Sequence, residues 1–285
     1  MENAISATGF LIGAIFCSTF ISISMRFSAD KVKGRFGMLA VNYFVCSCLG
    51  AFYSGGMPNL MQANEIGLTI FLSIINGILL LGGFLLLQIS IQKNGIVLSS
   101  LFMKLGLLIP FLTSILLFKE VPTVLQMMGF CIASGAIVLF NLQKGSRIRR
   151  FSIELIFLLL MCGGSDAMIK VFEVLGEKSL SNHFLCLSFG LSFVLCAMIV
   201  IVKKEHLDRN TLFFGTAIGV ANFFSSKLLL VALAQLPAVV VFPTFSVATM
   251  LLVTSCGITF FKERLDKKQW IAFGAIVVAL VLLNI

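Results

Sequence analysis

Apolar residues run through this chain in long blocks, and polar residues collect in the short intervals between them. Ten blocks stand out: residues 4–25, 38–54, 66–91, 95–118, 123–141, 152–172, 183–202, 211–233, 238–261 and 268–285. A membrane-spanning helix needs about 20 apolar residues, so each block predicts one span. The blocks lack the strict apolar–polar alternation that a transmembrane barrel requires. Short connections predict that successive helices are antiparallel neighbours, with no room for an aqueous domain. The first block has no basic segment before it and no small-residue cleavage pattern after it, so it reads as a span and not as a removable leader.

The pattern repeats. At a shift of 143 residues, Phe118-Lys119-Glu120 falls on Phe261-Lys262-Glu263, Gln92 on Gln235, Gln126 on Gln269 and Asn141 on Asn284. Earlier in the halves the offset drifts: at 140, Asn42, Phe44, Cys46 and Gly50 fall on Asn182, Phe184, Cys186 and Gly190, and at 144 Arg26 falls on Lys170. The chain therefore reads as two five-helix repeats, 1–143 and 144–285. Five spans is an odd number, so the second repeat enters the membrane from the opposite side. Such inverted repeats are typical of carriers that open alternately to the two sides, with their sites near the midplane.

Composition narrows the class. Of 285 residues 59% are hydrophobic and 12% charged, and mean hydropathy is +1.08. Soluble domains hold about 45–50% apolar and about 25% charged residues. A chain of this size cannot hide so much apolar surface from water, so soluble enzymes, nucleic-acid binders and disordered proteins are excluded. The net charge of +9 lies mostly in the loops. Loops after spans 1, 3, 5, 7 and 9 carry sixteen Lys and Arg, including Arg147, Arg149 and Arg150; loops after the even spans carry only Lys119 and Lys178. That bias places the basic side in the cytoplasm and both termini outside, for a multi-pass protein of the plasma (inner) membrane.

The eight cysteines, from Cys17 to Cys256, all fall inside apolar blocks without zinc-ligand spacing, and read as small buried hydrophobes. His183 and His206 stand apart at segment ends, so neither a metal nor any other cofactor is expected.

Polar groups at membrane depth are more informative. Three lysines lie within spans: Lys104, Lys170 and Lys227. Each costs about 2.5–3.5 kcal/mol to insert at a helix centre, so it faces a partner or a wet cavity unless it can reach the interface. Lys104 is too deep for that. Lys227 and Lys170 lie nearer the outer end, where snorkelling competes with a binding role. Asp166, four residues before Lys170, is positioned either for a plain intrahelical pair or for a switchable ion pair or proton site. Asn222, Asn76 and Gln88 either glue helices together or line a site. Pro110 and Pro243 are hinge candidates; each removes a donor and leaves the carbonyl of Gly106 or Val239 without its usual partner. Glu120 and Glu263 precede helices and suit their positive N-terminal ends. Gly9 with Gly13, and Gly215 with Gly219, allow close helix contact.

The whole chain resembles the drug/metabolite transporter superfamily, specifically its EamA-type carriers. Each half of those proteins ends in a Gly- or Phe-led turn closed by Glu, a Gln some six residues on, and a helix rich in small residues. Phe118-Lys119-Glu120 with Gln126, Gly129 and Gly135 is similar, as is Phe261-Lys262-Glu263 with Gln269, Gly274 and Ala275. Phe242-Pro243-Thr244-Phe245 is similar to the family's "PvF" element. The chain departs from it at Ser100, where the first half would carry the proline, and in lacking the Trp-Gly pair of the first helix; Cys162-Gly163-Gly164 partly echoes that pair in the sixth. The resemblance implies ten helices as two inverted repeats, a cavity lined by helices 3, 4, 6 and 8, and transport of a small solute. Many relatives keep both termini in the cytoplasm, against the charge count here.

The expected function is alternating-access movement of a small organic solute. Lys104, Lys170, Lys227 and Asp166 leave an excess of two positive charges at membrane depth. An anionic metabolite bearing a carboxylate or phosphate would offset that excess, with Lys104 at the midplane, Lys227 assisting and Asp166 holding Lys170 or Lys227 in one state. A proton or counter-solute is a possible coupling partner, the bilayer is the surroundings, and no nucleic-acid partner is expected. The alternatives are export of apolar or cationic drugs and metabolites, and an embedded enzyme. The first would normally want a carboxylate on helix 1, and the second needs a nucleophile–base pair, paired carboxylates or a metal set.

Overall fold

The structure is a computed structural model that describes residues 2–29, 31–55, 66–94, 96–141, 153–262 and 265–285. The segment with Arg147, Arg149 and Arg150, and Glu263, lie outside the described residues. Every apolar block is helical: α1 Glu2–Ser28, α2 Arg35–Tyr53, α3 Ile66–Asn94, α4 Ile96–Leu105, α5 Leu108–Leu116, α6 Val124–Asn141, α7 Ile153–Leu175, α8 Ser181–Lys203, α9 Arg209–Leu233, α10 Ala238–Phe261 and α11 Lys267–Leu283. There is no strand among the described residues. The fourth block forms two helices, α4 and α5, where the sequence predicts one. Eight stretches are long and apolar enough to cross a bilayer, the α4–α5 pair counted as one; α6 and α11 are shorter, at 18 and 17 residues. The protein is an all-α, multi-pass membrane protein. Its outside is apolar, with Phe52 78%, Val202 81% and Phe260 74% exposed, as lipid-facing surface should be.

Local chemistry sets the helix ends, and it recurs at the 143-residue shift. Lys119 and Lys262 both take left-handed backbone, φ 54° and 52°. A non-glycine residue bears roughly 1–2 kcal/mol there, so the same turn at both places is a shared specification. Directly after it, Thr123 N–H donates to Gln126 Oε1 at 3.0 Å and Gln126 N–H to Thr123 Oγ1 at 3.2 Å, starting α6. Asp266 and Gln269 make the matching capping box at the start of α11. The two glutamines of the sequence motif are therefore helix-start residues. Glu120 also serves a helix start, though of α10 and not of the α6 that follows it: its carboxylate accepts Val239 N–H at 3.0 Å.

The chain packs as two units, each drawing on both sequence halves. The first holds Met1–Leu81 and Met168–Gln235. Here α1 lies on α9, and α2 on α8 and α9. Glycines bring backbones together: a Cβ on Gly215 would lie 2.9 Å from Met38 O, on Gly219 2.8 Å from Asn42 O, and on Gly77 2.8 Å from Ser188 O. Gly13 meets Leu228, whereas Gly9 faces open space and makes no close helix contact, contrary to the sequence expectation. Loops α1–α2 and α8–α9 interlock, with Glu205 Oε2 accepting Gly37 N–H at 2.9 Å where α2 has no side-chain cap of its own.

The second unit holds Gly82–Ala167 and Leu236–Ile285. Its core is a buried cluster from α4, α5, α6, α10 and α11 around Phe111, Phe130, Ile137, Val247 and Ile276, with the Phe111 and Phe130 rings stacked at 3.6 Å. Gly129 on α6 lets α11 approach as far as Ala279 O. Ser99 Oγ donates to Ser90 Oγ at 2.7 Å, tying α4 to α3.

Candidate functional site

The break between α4 and α5 organises the site. Hydrogen bonds tighten there to a three-residue step: Gly106 N–H to Met103 O at 3.2 Å, Leu107 N–H to Lys104 O at 3.4 Å and Ile109 N–H to Gly106 O at 2.9 Å. This corrects the sequence reading of Pro110. The proline sits in the first turn of α5, where its missing donor matters least, and the Gly106 carbonyl has a partner. The bend falls at Gly106 itself. Pro243, by contrast, lies within the continuous α10.

Helix α7 crosses this break at Gly163, where even a methyl would not fit: a Cβ would lie 2.2 Å from Gly106 O and 2.7 Å from Ile109 Cγ1. On its other flank Cys162 meets α3, its Sγ 3.0 Å from where a Gly83 Cβ would be. Asp166 is three residues beyond Gly163 and four beyond Cys162, so all three share one face of α7. Lys104 is in the last turn of α4, two residues before Gly106, where the free carbonyls of a helix end favour a cation. Backbone contact between Gly106 and Gly163 thus brings Lys104 and Asp166 into one place. The two charges attract each other, and both act on the Cys162 thiol. Each is half-buried. Among the described residues they form no direct ion pair with each other.

The other sequence-selected residues are placed differently. Lys170 Nζ donates to Glu173 Oε2 at 2.8 Å, with the side chains only 8% and 10% exposed. Lys170 is therefore neither snorkelling nor the partner that Asp166 was expected to hold; Glu173 is the carboxylate on it. Breaking such a buried pair from one side costs about 3–5 kcal/mol. Lys170→Ala should lower the thermal midpoint of the purified protein sharply, and Lys170→Met with Glu173→Leu should recover most of it; equal midpoints for wild type and the single variant would refute a structural pair.

Lys227 Nζ lies 3.7 Å from the Tyr53 ring centroid and 5.8 Å from that of Phe223, and those rings are stacked on each other at 5.7 Å. A cation over an aromatic face gains about 0.5–2 kcal/mol. Asn222 Nδ2 donates to Asn42 Oδ1 at 3.3 Å, joining α9 to α2 as helix glue. Asn76 is buried. Gln88 is half-buried on α3, in the same unit as Lys104 and Asp166. Lys170, Lys227, Asn222 and Asn76 belong to the other unit.

Sequence reasoning missed Glu173, Cys162 as part of the site, and Tyr53. Glu173 carried a signal, at i+3 from Lys170. Tyr53 is far from Lys227 in sequence and carried none.

No protein-family model matches the chain. An uncharacterized protein of Haemophilus influenzae is 24% identical over 272 residues, covering 92% of this chain and 92% of its own length. A protein of solved crystal structure superposes on 97% of this chain and 96% of its own with a TM-score of 0.75 at 14% identity. That likeness concerns the fold alone.

Proposed function

We propose that the protein is a secondary transporter that moves a small organic solute bearing a carboxylate or phosphate by alternating access. In this reading it is a drug/metabolite transporter of the EamA type, with ten spans arranged as two inverted repeats. The observation that carries the proposal is Lys104: an ammonium deep in a span, at a helix break, with no direct ion partner among the described residues. Such a group in a membrane protein serves a substrate or ion path by default, and broken helices are tolerated where they line a cavity. The matched turns at Lys119 and Lys262, and the matched helix starts at Thr123–Gln126 and Asp266–Gln269, support the internal repeat. With Glu173 on Lys170, the charge excess among the named groups falls from two to one.

The decisive experiment is counterflow in proteoliposomes preloaded with a pool of organic acids and phosphates. A carrier accumulates labelled solute against its gradient by exchange. Leak without exchange would indicate a channel, and chemical conversion an enzyme. The charge count further predicts both termini outside and the Arg147–Arg150 segment in the cytoplasm. A cysteine added at either terminus should react with an impermeant reagent in intact cells; reaction only after permeabilisation would reverse the topology.

A further inference from the structure

We infer that the interlocked α1–α2 and α8–α9 loops form a binding site for the headgroup of an anionic phospholipid. This requires only a multi-pass membrane protein and stands whatever the solute is. Six cationic side chains gather at this end of the first unit: Lys31, Lys33 and Arg35 from one connection, Lys203, Lys204 and Arg209 from the other. All six are exposed. The two loops are held as one surface. Besides the Glu205–Gly37 bond, Asn210 Nδ2 donates to Lys31 O at 3.4 Å, and Lys33 is near enough to act on Asp208 across the gap. Both of these carboxylates are engaged in starting helices: Glu205 accepts Gly37 N–H of α2, and Asp208 accepts Thr211 N–H of α9 at 2.8 Å. Among the described residues no ion pair joins any of the six cations to a carboxylate. Two lean on rings instead, Lys203 Nζ 4.1 Å from the Phe36 centroid and Lys31 Nζ 5.9 Å from that of Phe214. Like charges gathered this way repel one another, so the surface favours an anion. Its surroundings select which anion. Ile201 and Val202, next to Lys203, and Phe213, one turn from Arg209, are exposed apolar residues of helices long enough to cross the bilayer. A molecule that meets both the cations and these side chains carries a negative headgroup on acyl chains, and basic clusters at the bilayer boundary attract such lipids. A soluble anion would meet the cations and leave the apolar flank unused.

The test is thermal unfolding of the purified protein in neutral-detergent micelles containing phosphatidylglycerol, phosphatidylcholine or, in place of lipid, soluble glycerol phosphate. A ligand that binds only the folded state must stabilise it. Phosphatidylglycerol should therefore raise the midpoint by about 5 °C at saturation, and the other two should not. Lys31→Gln with Lys33→Gln, and separately Lys203→Gln with Lys204→Gln, should each lose most of that shift. The same charge loss by Lys267→Gln with Lys268→Gln, exposed at the start of α11 in the other unit, should keep it. Equal shifts from the two lipids, a matching shift from glycerol phosphate, or no shift at all would overturn the inference. So would loop variants that keep the shift, or a Lys267–Lys268 variant that loses as much of it. Native mass spectrometry of the wild type from an equimolar mixture of the two lipids needs no variant: preferential retention of phosphatidylglycerol is expected, and equal retention refutes the site.

Discussion

Gly163→Ala should unfold the site, whereas Gly135→Ala should leave the protein as stable as before or more so. Both substitutions put the same methyl on a helix, and alanine is intrinsically better there by up to about 1 kcal/mol. The difference is what the methyl meets. At Gly135 there is nothing within 4 Å; at Gly163 the nearest atom is the Gly106 carbonyl oxygen at 2.2 Å. That oxygen is backbone, held by Ile109 N–H at 2.9 Å, so it cannot swing aside as a flexible side chain can. Overpacking of this kind costs about 1–3 kcal/mol. Relief requires α7 and the α4–α5 break to separate, which carries Asp166 away from Lys104. We expect a lower thermal midpoint in detergent and counterflow about tenfold slower, the change that about 1.4 kcal/mol within that range corresponds to. A Gly163→Ala protein that matches Gly135→Ala in both measurements would show that the close contact is not needed.

That contrast also marks where the sequence stopped being informative. The helical blocks were legible because spans must be apolar over their whole length, and most observed ends fall within three residues of the reading. The matching helix ends at the 143-residue shift were legible because their polar positions are local: Gln126 and Gln269 start helices, and Lys119 and Lys262 close them, using only neighbours within a few residues. The break at Gly106 was not legible in this way. Proline announces a missing donor, so the sequence points to Pro110, while the break falls at Gly106, where Gly163, some sixty residues on in another helix, meets it. The same holds for Lys227, whose Tyr53 partner belongs to α2. Asp166 illustrates a competition between distances in sequence. Its i+4 neighbour Lys170 looked like the natural partner, yet Glu173 holds that lysine and Asp166 is left to Lys104.

Lys104→Met alone should lose both stability and transport, and adding Asp166→Leu should restore the first without the second. The single variant removes the cation that favours the Asp166 carboxylate and leaves that carboxyl desolvated inside the protein. For a fully buried pair the cost is about 3–5 kcal/mol; both groups here are half-buried, so roughly 1–3 kcal/mol is expected after screening. Replacing both charges with apolar groups removes that penalty, as it commonly does for buried pairs. Transport behaves otherwise if Lys104 binds the solute. A charge-assisted hydrogen bond is worth about 1.5–3 kcal/mol, so its loss slows counterflow about 10- to 100-fold at subsaturating solute, and no substitution at Asp166 returns it. Lys104→Arg keeps the charge, and its partial activity distinguishes a need for charge from a need for shape. A double variant that transports at the wild-type rate would make the pair purely structural, and the assignment of Lys104 to the solute would then be wrong.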